Sequence, residues 1–171
     1  MKKIVYLLVV VLCSCSAKEL TKEQAADLIR EANGYPKDLS DDIYRATLLV
    51  ARKMLDSGFE KEGWVSIVKF QSVKDLGKPL IYFESKAKPF LLPTPARDSG
   101  YLQIVRVAVI DLDRITGIKV DGNTAKVEYT LTFENRTPFY KMLEHKPDPT
   151  KKHYACFELY DIGWKLVRCL Y

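Results

Sequence analysis

The chain has 171 residues, which is the length of one ordinary domain or at most two small ones. Apolar residues make up 47% and charged residues 29%, a composition that excludes a disordered chain and a collagen-like repeat. The net charge of +5 is mild and acids are interspersed among the bases, so no nucleic-acid partner is expected. With two histidines, a His-rich metal site is excluded.

Residues 1–16 have the layout of a secretory signal. Lys2 and Lys3 form a charged start, and an apolar run of nine residues follows from Ile4 to Leu12. A membrane-spanning helix needs about 20 apolar residues, so this run is too short to be one. The segment therefore predicts export, with residues 1–14 removed as a signal peptide.

The end of this segment, Leu12-Cys13-Ser14-Cys15, resembles the lipobox of bacterial lipoproteins. That family has an aliphatic residue three positions before the modified cysteine and a small residue directly before it. The resemblance implies cleavage before Cys15, a thioether-linked lipid on its sulfur and a palmitate-type acyl chain on its nitrogen. Several acyl chains on one residue anchor a protein firmly in a membrane. Ser16 replaces the family's inner-membrane retention signal, which favours the outer membrane of a bacterial cell envelope, with the domain facing the periplasm or the outside.

The first predicted helix follows a short lipidated tether, residues 15–20. Thr21 and Gln24 match a capping box, and apolar residues then recur at helical spacing. Asn33-Gly34 and the following Pro36 predict where this helix ends.

A second helix is predicted to begin at Ser40-Asp41-Asp42, with Ser40 as its N-cap and the two aspartates at its positive end. Gly58 is a plausible stop. We expect this helix to be largely buried, because its apolar residues cover a broad face: Ile43, Ala46, Thr47, Leu48, Leu49, Val50, Met54 and Leu55.

From Trp64 the hydrophobic period changes to two, which predicts short strands within residues 64–70 and 79–83. Residues 84–101 contain three prolines and form the best candidate linker. Two subdomains could meet there, although one continuous core is equally compatible with a loop of this length.

The C-terminal half predicts an antiparallel sheet. Residues 124–134 alternate cleanly between apolar and polar, as a half-buried strand does. Strands are also expected at 102–112 and 115–120, separated by a turn at Asp113-Arg114. A hairpin follows at Asp121-Gly122-Asn123, and a last hairpin turns through 161–163.

These patterns together predict a single α+β domain over residues 21–171, with two N-terminal helices packed on a curved antiparallel β-sheet. The last 70 residues resemble the sheet of cystatin-like or NTF2-like folds, in which an Asp-x-Gly-Trp hairpin such as Asp161 to Trp164 is common. This resemblance concerns the fold and does not transmit a function.

The last hairpin also predicts a disulfide between Cys156 and Cys169, because export leads to an oxidising compartment. If Ile162-Gly163 is a two-residue loop, the two cysteines lie directly opposite each other. If residues 161–163 form a three-residue loop, Cys156 faces Arg168 and the two cysteines are diagonal neighbours. Two buried free thiols are the alternative.

No catalytic constellation is predicted. Cys156 and His153 are three residues apart, so on a strand their side chains point to opposite faces. Glu144, His145 and Asp148 share a loop with His153, but their spacing matches no metal-ligand pattern, and lysines surround them. We therefore expect no enzyme activity, no metal and no cofactor.

The large aromatic content allows two functional interpretations. The preferred one is a lipid-anchored, non-enzymatic cell-envelope protein whose soluble domain binds an unknown envelope protein or another envelope component. The alternative is a small-molecule carrier, in which aromatic side chains line a pocket in the sheet. The candidate pocket residues are Tyr82, Tyr129, Phe133, Phe157 and Trp164.

We predict that Cys15→Ala blocks lipidation and processing, whereas Cys13→Ala leaves both intact. The reason is that Ser14 gives Cys15 the small preceding residue that a lipobox has, while Cys13 follows the bulky Leu12. Mass spectrometry of the mature N-terminus measures the outcome. An acylated Cys13, or a chain that still begins at Met1, would show that the assignment is wrong.

Overall fold

The computed structural model describes residues 19–169. The signal segment and Cys15 lie outside these residues. The fold is α+β, with a curled five-stranded antiparallel sheet in the order β1-β4-β5-β6-β7 and a second sheet of β2 and β3. The bounds are α1 Lys22–Asn33, β1 Lys37–Tyr44, α2 Leu48–Asp56, β2 Val65–Ile67, β3 Ile81–Phe83, β4 Leu102–Asp121, β5 Thr124–Glu134, β6 His153–Tyr160 and β7 Gly163–Val167. Across 19–169, no helix combines the length and the apolarity needed to cross a bilayer.

Helix α1 is confirmed where the sequence predicts it. The Thr21 side chain accepts a hydrogen bond from the backbone N–H of Gln24, and Gly34 ends the helix in the left-handed conformation at φ 64°. Ala25 and Ile29, one turn apart, are fully buried. They pack on the sheet beside residues of β4, β5, β6 and β7, and this side of the sheet is here called the inner face.

The prediction of a helix starting at Ser40 is wrong. Ser40 lies in the middle of β1, an edge strand that pairs antiparallel with β4. Leu39 and Ile43 alternate with exposed residues, and Ile43 is buried in the core. The ladder to β4 and the burial of this apolar face outweigh the local capping signal, because strand formation depends strongly on tertiary partners. Helix α2 begins later, at Leu48.

The predicted turn at Asp113-Arg114 is also wrong, because β4 continues through it as one strand of 20 residues. The register with β5 shifts between Leu112 and Arg114, so that Asp113 is the extra residue of a β-bulge. Its carboxylate accepts a hydrogen bond from the hydroxyl of Thr130, at 2.8 Å. Asp113-Arg114, a polar pair typical of a turn, therefore lies at a bend within a strand.

Two hydrophobic cores share β4. Helix α1 covers one of them, on the inner face, while α2 and the two-stranded sheet enclose the other at the Leu102 end of the strand. The predicted linker 84–101 packs against β4: Ala87 is fully buried and Leu91 bridges to Val105. Thus α1 packs on the five-stranded sheet, whereas α2 belongs to the second core. The largest fully buried side chains of the second core are Phe59, Phe139, Met54, Ile43 and Ile81.

The disulfide between Cys156 and Cys169 is present, with the two Cα atoms 5.2 Å apart. The register predicted for it is wrong. The loop consists of Asp161-Ile162, and Gly163, with φ at 116°, already belongs to β7. Cys156 therefore pairs with Val167, and Cys169 lies two residues further along on the same side of the sheet. The bond is diagonal, and it ties the chain beyond β7 to β6 on the outer face.

We predict that Cys156→Ser lowers the free energy of unfolding by about 3 kcal/mol, since the crosslink closes a loop of 13 residues. Urea unfolding of the oxidised protein measures the loss. Cys169→Ser and the double variant serve as controls and should lose the same amount, because each removes the same bond. Two reactive thiols at these positions, in the denatured protein without reductant, would contradict the prediction.

Candidate functional site

Helix α2 buries one side and exposes another. Ala51 and Met54 face the core, and their spacing of three residues explains why this stretch is helical. Leu48 and Leu49 precede this buried stripe in the first turn, and their side chains are 73% and 76% exposed. The expectation of a largely buried helix is therefore wrong at these two positions.

A groove of about 280 Å³ runs between α2 and β2. Its walls are mainly aliphatic, with charged groups at the rim. Leu48, Ala51 and Leu55 come from α2, while Ile67 and Val68 lie opposite them at the end of β2. Arg52 and Lys69 supply the charges, one from each wall.

The segment from Val68 to Leu80 leaves the end of β2 and returns to β3. Both of its ends lie beside the start of α2, since Val68 lines the groove and the Leu80 N–H donates to the Arg45 carbonyl at 2.7 Å. Three large apolar side chains project from it with exposed fractions between 71% and 93%: Phe70, Val73 and Leu76. Together with Leu48, Leu49 and the groove, they are here called the distal surface.

Local hydrogen bonds hold this segment in shape. The Asp75 carboxylate accepts from the Ser72 hydroxyl at 2.6 Å and from the Lys78 ammonium at 2.7 Å. The Lys78 hydrogen bond is the largest cause of the lowered pKa of Asp75, and Asp75 in turn raises the pKa of Lys78. The Gln71 amide donates to the Lys78 carbonyl. The apolar side chains thus project from an organised loop.

Tyrosines and an arginine border the distal surface. The Arg45 guanidinium donates to the carbonyls of Ile81 and Ser99, and it lies 5.6 Å from the ring centre of Tyr82. Tyr44 and Tyr101 are, like Tyr82, about half exposed. Tyrosine and arginine are enriched at the residues that dominate protein–protein binding energies.

Positive charge is concentrated in the same part of the chain. Residues 45–82 carry seven basic and four acidic side chains, a net charge of +3. The other residues within 19–169 carry 17 basic and 18 acidic side chains, a net charge of −1. The segment that carries the distal surface is therefore mildly basic.

The five predicted pocket residues do not all come together. Tyr129, Phe133, Phe157 and Trp164 lie in the core on the inner face of the sheet, where Ala25 and Ile29 of α1 pack among them. Tyr82 lies on β3, in the other sheet. The space that a ligand would need between the four inner-face aromatics is thus occupied by helix α1.

The outer face of the sheet, opposite the inner face, carries a groove of about 240 Å³ beside Glu128. The Glu128 carboxylate accepts hydrogen bonds from Thr116, Lys152 and Tyr154, at 2.7, 3.1 and 3.2 Å. The Thr116 hydrogen bond is the largest cause of its lowered pKa. Since the donors belong to the protein itself, this cluster joins β4, β5 and β6 as a structural network.

The loop candidates for a metal site are separated. His153 begins β6 and stacks on Tyr129, with ring centres 5.5 Å apart. Asp148 instead caps its own turn by accepting from Thr150. Within the described part of the chain, no three His, Cys, Asp or Glu side chains lie close enough together to hold a metal ion.

The distal surface is not evident from the sequence, because packing between distant segments determines which apolar side chains are exposed. Phe70 continued the alternating pattern of residues 64–70, so it was assigned to a strand that in fact ends at Ile67. One signal was available. Leu48 and Leu49 come before the Ala51–Met54 stripe, and a narrow stripe cannot bury every apolar residue of a helix.

We predict that His153 makes stability dependent on pH below neutrality. Burial lowers the pKa of His153 below its ordinary value of 6.5, and the charge of Lys151 lowers it further. The unfolded chain therefore takes up the proton first. The contribution of the neutral His153 to the free energy of unfolding is fully present above about pH 6.5, and it is lost as the pH falls towards the pKa of the folded state. Urea unfolding of the wild type and of His153→Phe, which keeps a ring on Tyr129, measures this.

Between about pH 7.5 and 5.5, the wild type should lose stability relative to His153→Phe. Other titrating groups are common to both proteins and cancel in the comparison. A difference in unfolding free energy that stays constant across this range would contradict the assignment.

Comparison with known proteins gives no relative from which a function could be carried over. No protein-family model, curated protein or solved structure matches the chain. The distal surface and the physical chemistry of its residues are therefore what indicates a function.

Proposed function

We propose that this chain is a lipid-anchored, non-enzymatic protein of the bacterial cell envelope that binds another protein through its distal surface. The observation that carries the proposal is the exposure of large apolar side chains at one end of the molecule. Leu48, Leu49, Phe70, Val73 and Leu76 all have more than two-thirds of their surface in water. Several large apolar side chains exposed on the start of one helix and on the loop beside it are more than the single exposed apolar residues that any protein surface carries.

A partner that buries these exposed apolar side chains would gain binding free energy. Burying a leucine, valine or phenylalanine side chain stabilises a complex by about 1.5–3 kcal/mol relative to leaving it in water. The organised loop around Asp75 and Lys78 reduces the conformational entropy lost on binding. Tyr82 and Arg45 at the border add the residue types that anchor protein interfaces.

The position of the first described residues supports the anchor part of the proposal. Glu19 and Leu20 lie beside Ile118 and Val120, near the far end of β4 from Leu102. At about 3.3 Å per residue, the stretch of β4 from Leu102 to Ile118 measures at most about 50 Å along the strand, and its bulges shorten the direct distance. A lipid at Cys15, joined by a short tether, would therefore hold the opposite end of the molecule and leave the distal surface free for a partner.

We predict that a photoreactive amino acid at Leu49 or Phe70 forms discrete protein adducts in intact cells, whereas one at Ile162 does not. Ile162 is the matched control. It is 75% exposed, against 76% for Leu49, but it lies in the β6–β7 loop at the end of the sheet where α1 begins. Denaturing electrophoresis of the irradiated cells shows the adducts.

Two results would contradict the proposal. Equal adducts from all three positions would mean that exposure alone determines crosslinking. Adducts to lipid, without any protein adduct at Leu49 or Phe70, would mean that the distal surface does not bind a protein.

A further inference from the structure

We infer that the distal surface binds an acidic amphipathic helix of its partner, seated in the groove between α2 and β2. The inference rests on the proposed function and specifies the chemistry of the partner. Three features carry it: the shape and lining of the groove, the sign of the charge around it, and its position relative to the N-terminus.

The shape and lining of the groove suit a row of apolar side chains. Leu48, Ala51 and Leu55 follow one another along α2 at helical spacing, opposite Ile67 and Val68. A groove lined in this way accepts the i, i+3 or i+4, i+7 side chains of a docked helix. A flat bilayer surface cannot fill a concavity of this kind.

The positive charge around the groove disfavours a second copy of this chain and favours an acidic helix. Arg52 and Lys69 stand on its two walls, and Lys74 lies on the loop beyond. Arg52 pairs with Asp56 at 4.0 Å and Lys69 pairs with Glu60 at 3.0 Å. Both cations are largely exposed, so these pairs are weak, and residues 45–82 keep a net charge of +3. A second copy of the chain would bring the same positive excess against itself. A helix whose apolar face is flanked by carboxylates would complement this positive charge.

The position of the groove separates it from the membrane that would carry the anchor. Leu20 packs near Ile118, whereas the groove lies beyond the Leu102 end of β4. An anionic bilayer has the right charge to attract the lysines. However, the anchoring bilayer would meet the molecule at its other end. The observations therefore favour a protein helix over a lipid surface.

The test uses the full chain in detergent and two fluorescent peptides of about 18 residues, or five helical turns. Both peptides carry leucines along one face. One has glutamates flanking that face, and the other has lysines in the same positions. Fluorescence anisotropy should show at least about tenfold tighter binding of the acidic peptide, weakened by added salt because the charges are exposed.

The double variant Arg52→Glu with Lys74→Glu should abolish or reverse this preference. Lys22→Glu, a charge reversal of the same kind beside the N-terminus at the opposite end, should leave it unchanged. Circular dichroism of each variant establishes that it is folded before binding is measured. A variant pair that unfolds is replaced by Arg52→Gln with Lys74→Gln, which should reduce the preference without reversing it.

Three results would overturn the inference: no binding of either peptide, equal binding of both, or a preference that the double variant leaves intact. Binding to phosphatidylglycerol vesicles and to neither peptide would identify a lipid surface instead. If Leu49 and Phe70 still crosslink to protein while the acidic preference is absent, the inference fails and the proposed function stands. If the crosslinks are absent, the proposed function itself fails.

Discussion

The continuous pairing of β4 is the constraint on which the rest of the structure depends. This strand pairs with β1 along one edge and with β5 along the other, and it contributes side chains to both cores. Val105 and Val107 are buried beneath α2 and the small sheet, whereas Leu112 and Ile115 are buried beneath α1. Neither core can open far without disturbing the hydrogen bonds that support the other, so the two are mechanically coupled.

Bulges allow one strand to serve both cores. Side chains alternate between the faces of a strand, so an extra residue shifts every later side chain to the opposite face. The register of β4 shifts near Val107, at Asp113 and at Thr116. The last two of these residues bond to Thr130 and Glu128 on the outer face. The bulges thus bend the sheet and keep the apolar residues of β4 turned inward.

The sequence predicts the parts of this fold that are encoded locally. The capped helix α1, the alternating strand β5 and the pairing of Cys156 with Cys169 are all confirmed. Each rests on neighbouring residues, or on a hairpin whose two strands adjoin in sequence. The register of that hairpin was wrong by two residues, because the conformation of one glycine, Gly163, decides where the loop ends.

Features that depend on distant partners were not predictable in the same way. Ser40-Asp41-Asp42 is a good helix start by its local chemistry, but β4, some 60 residues later, pairs with it as a strand. The distal surface is the same kind of case. Leucines of a helix are normally assigned to a core, and their exposure at positions 48 and 49 follows from how β2 and β3 cover the rest of α2.

The charges on β1 would have a consequence for a protein held on a membrane by the proposed anchor. An edge strand offers unpaired backbone groups to any other extended chain, and this is a common route to aggregation. Half of the eight residues of β1 are charged: Lys37, Asp38, Asp41 and Asp42. An incoming strand would have to desolvate these groups or lie beside them without compensation. Under the proposed anchor, many copies concentrated in two dimensions would therefore remain separate, and the distal surface would stay available to a different molecule.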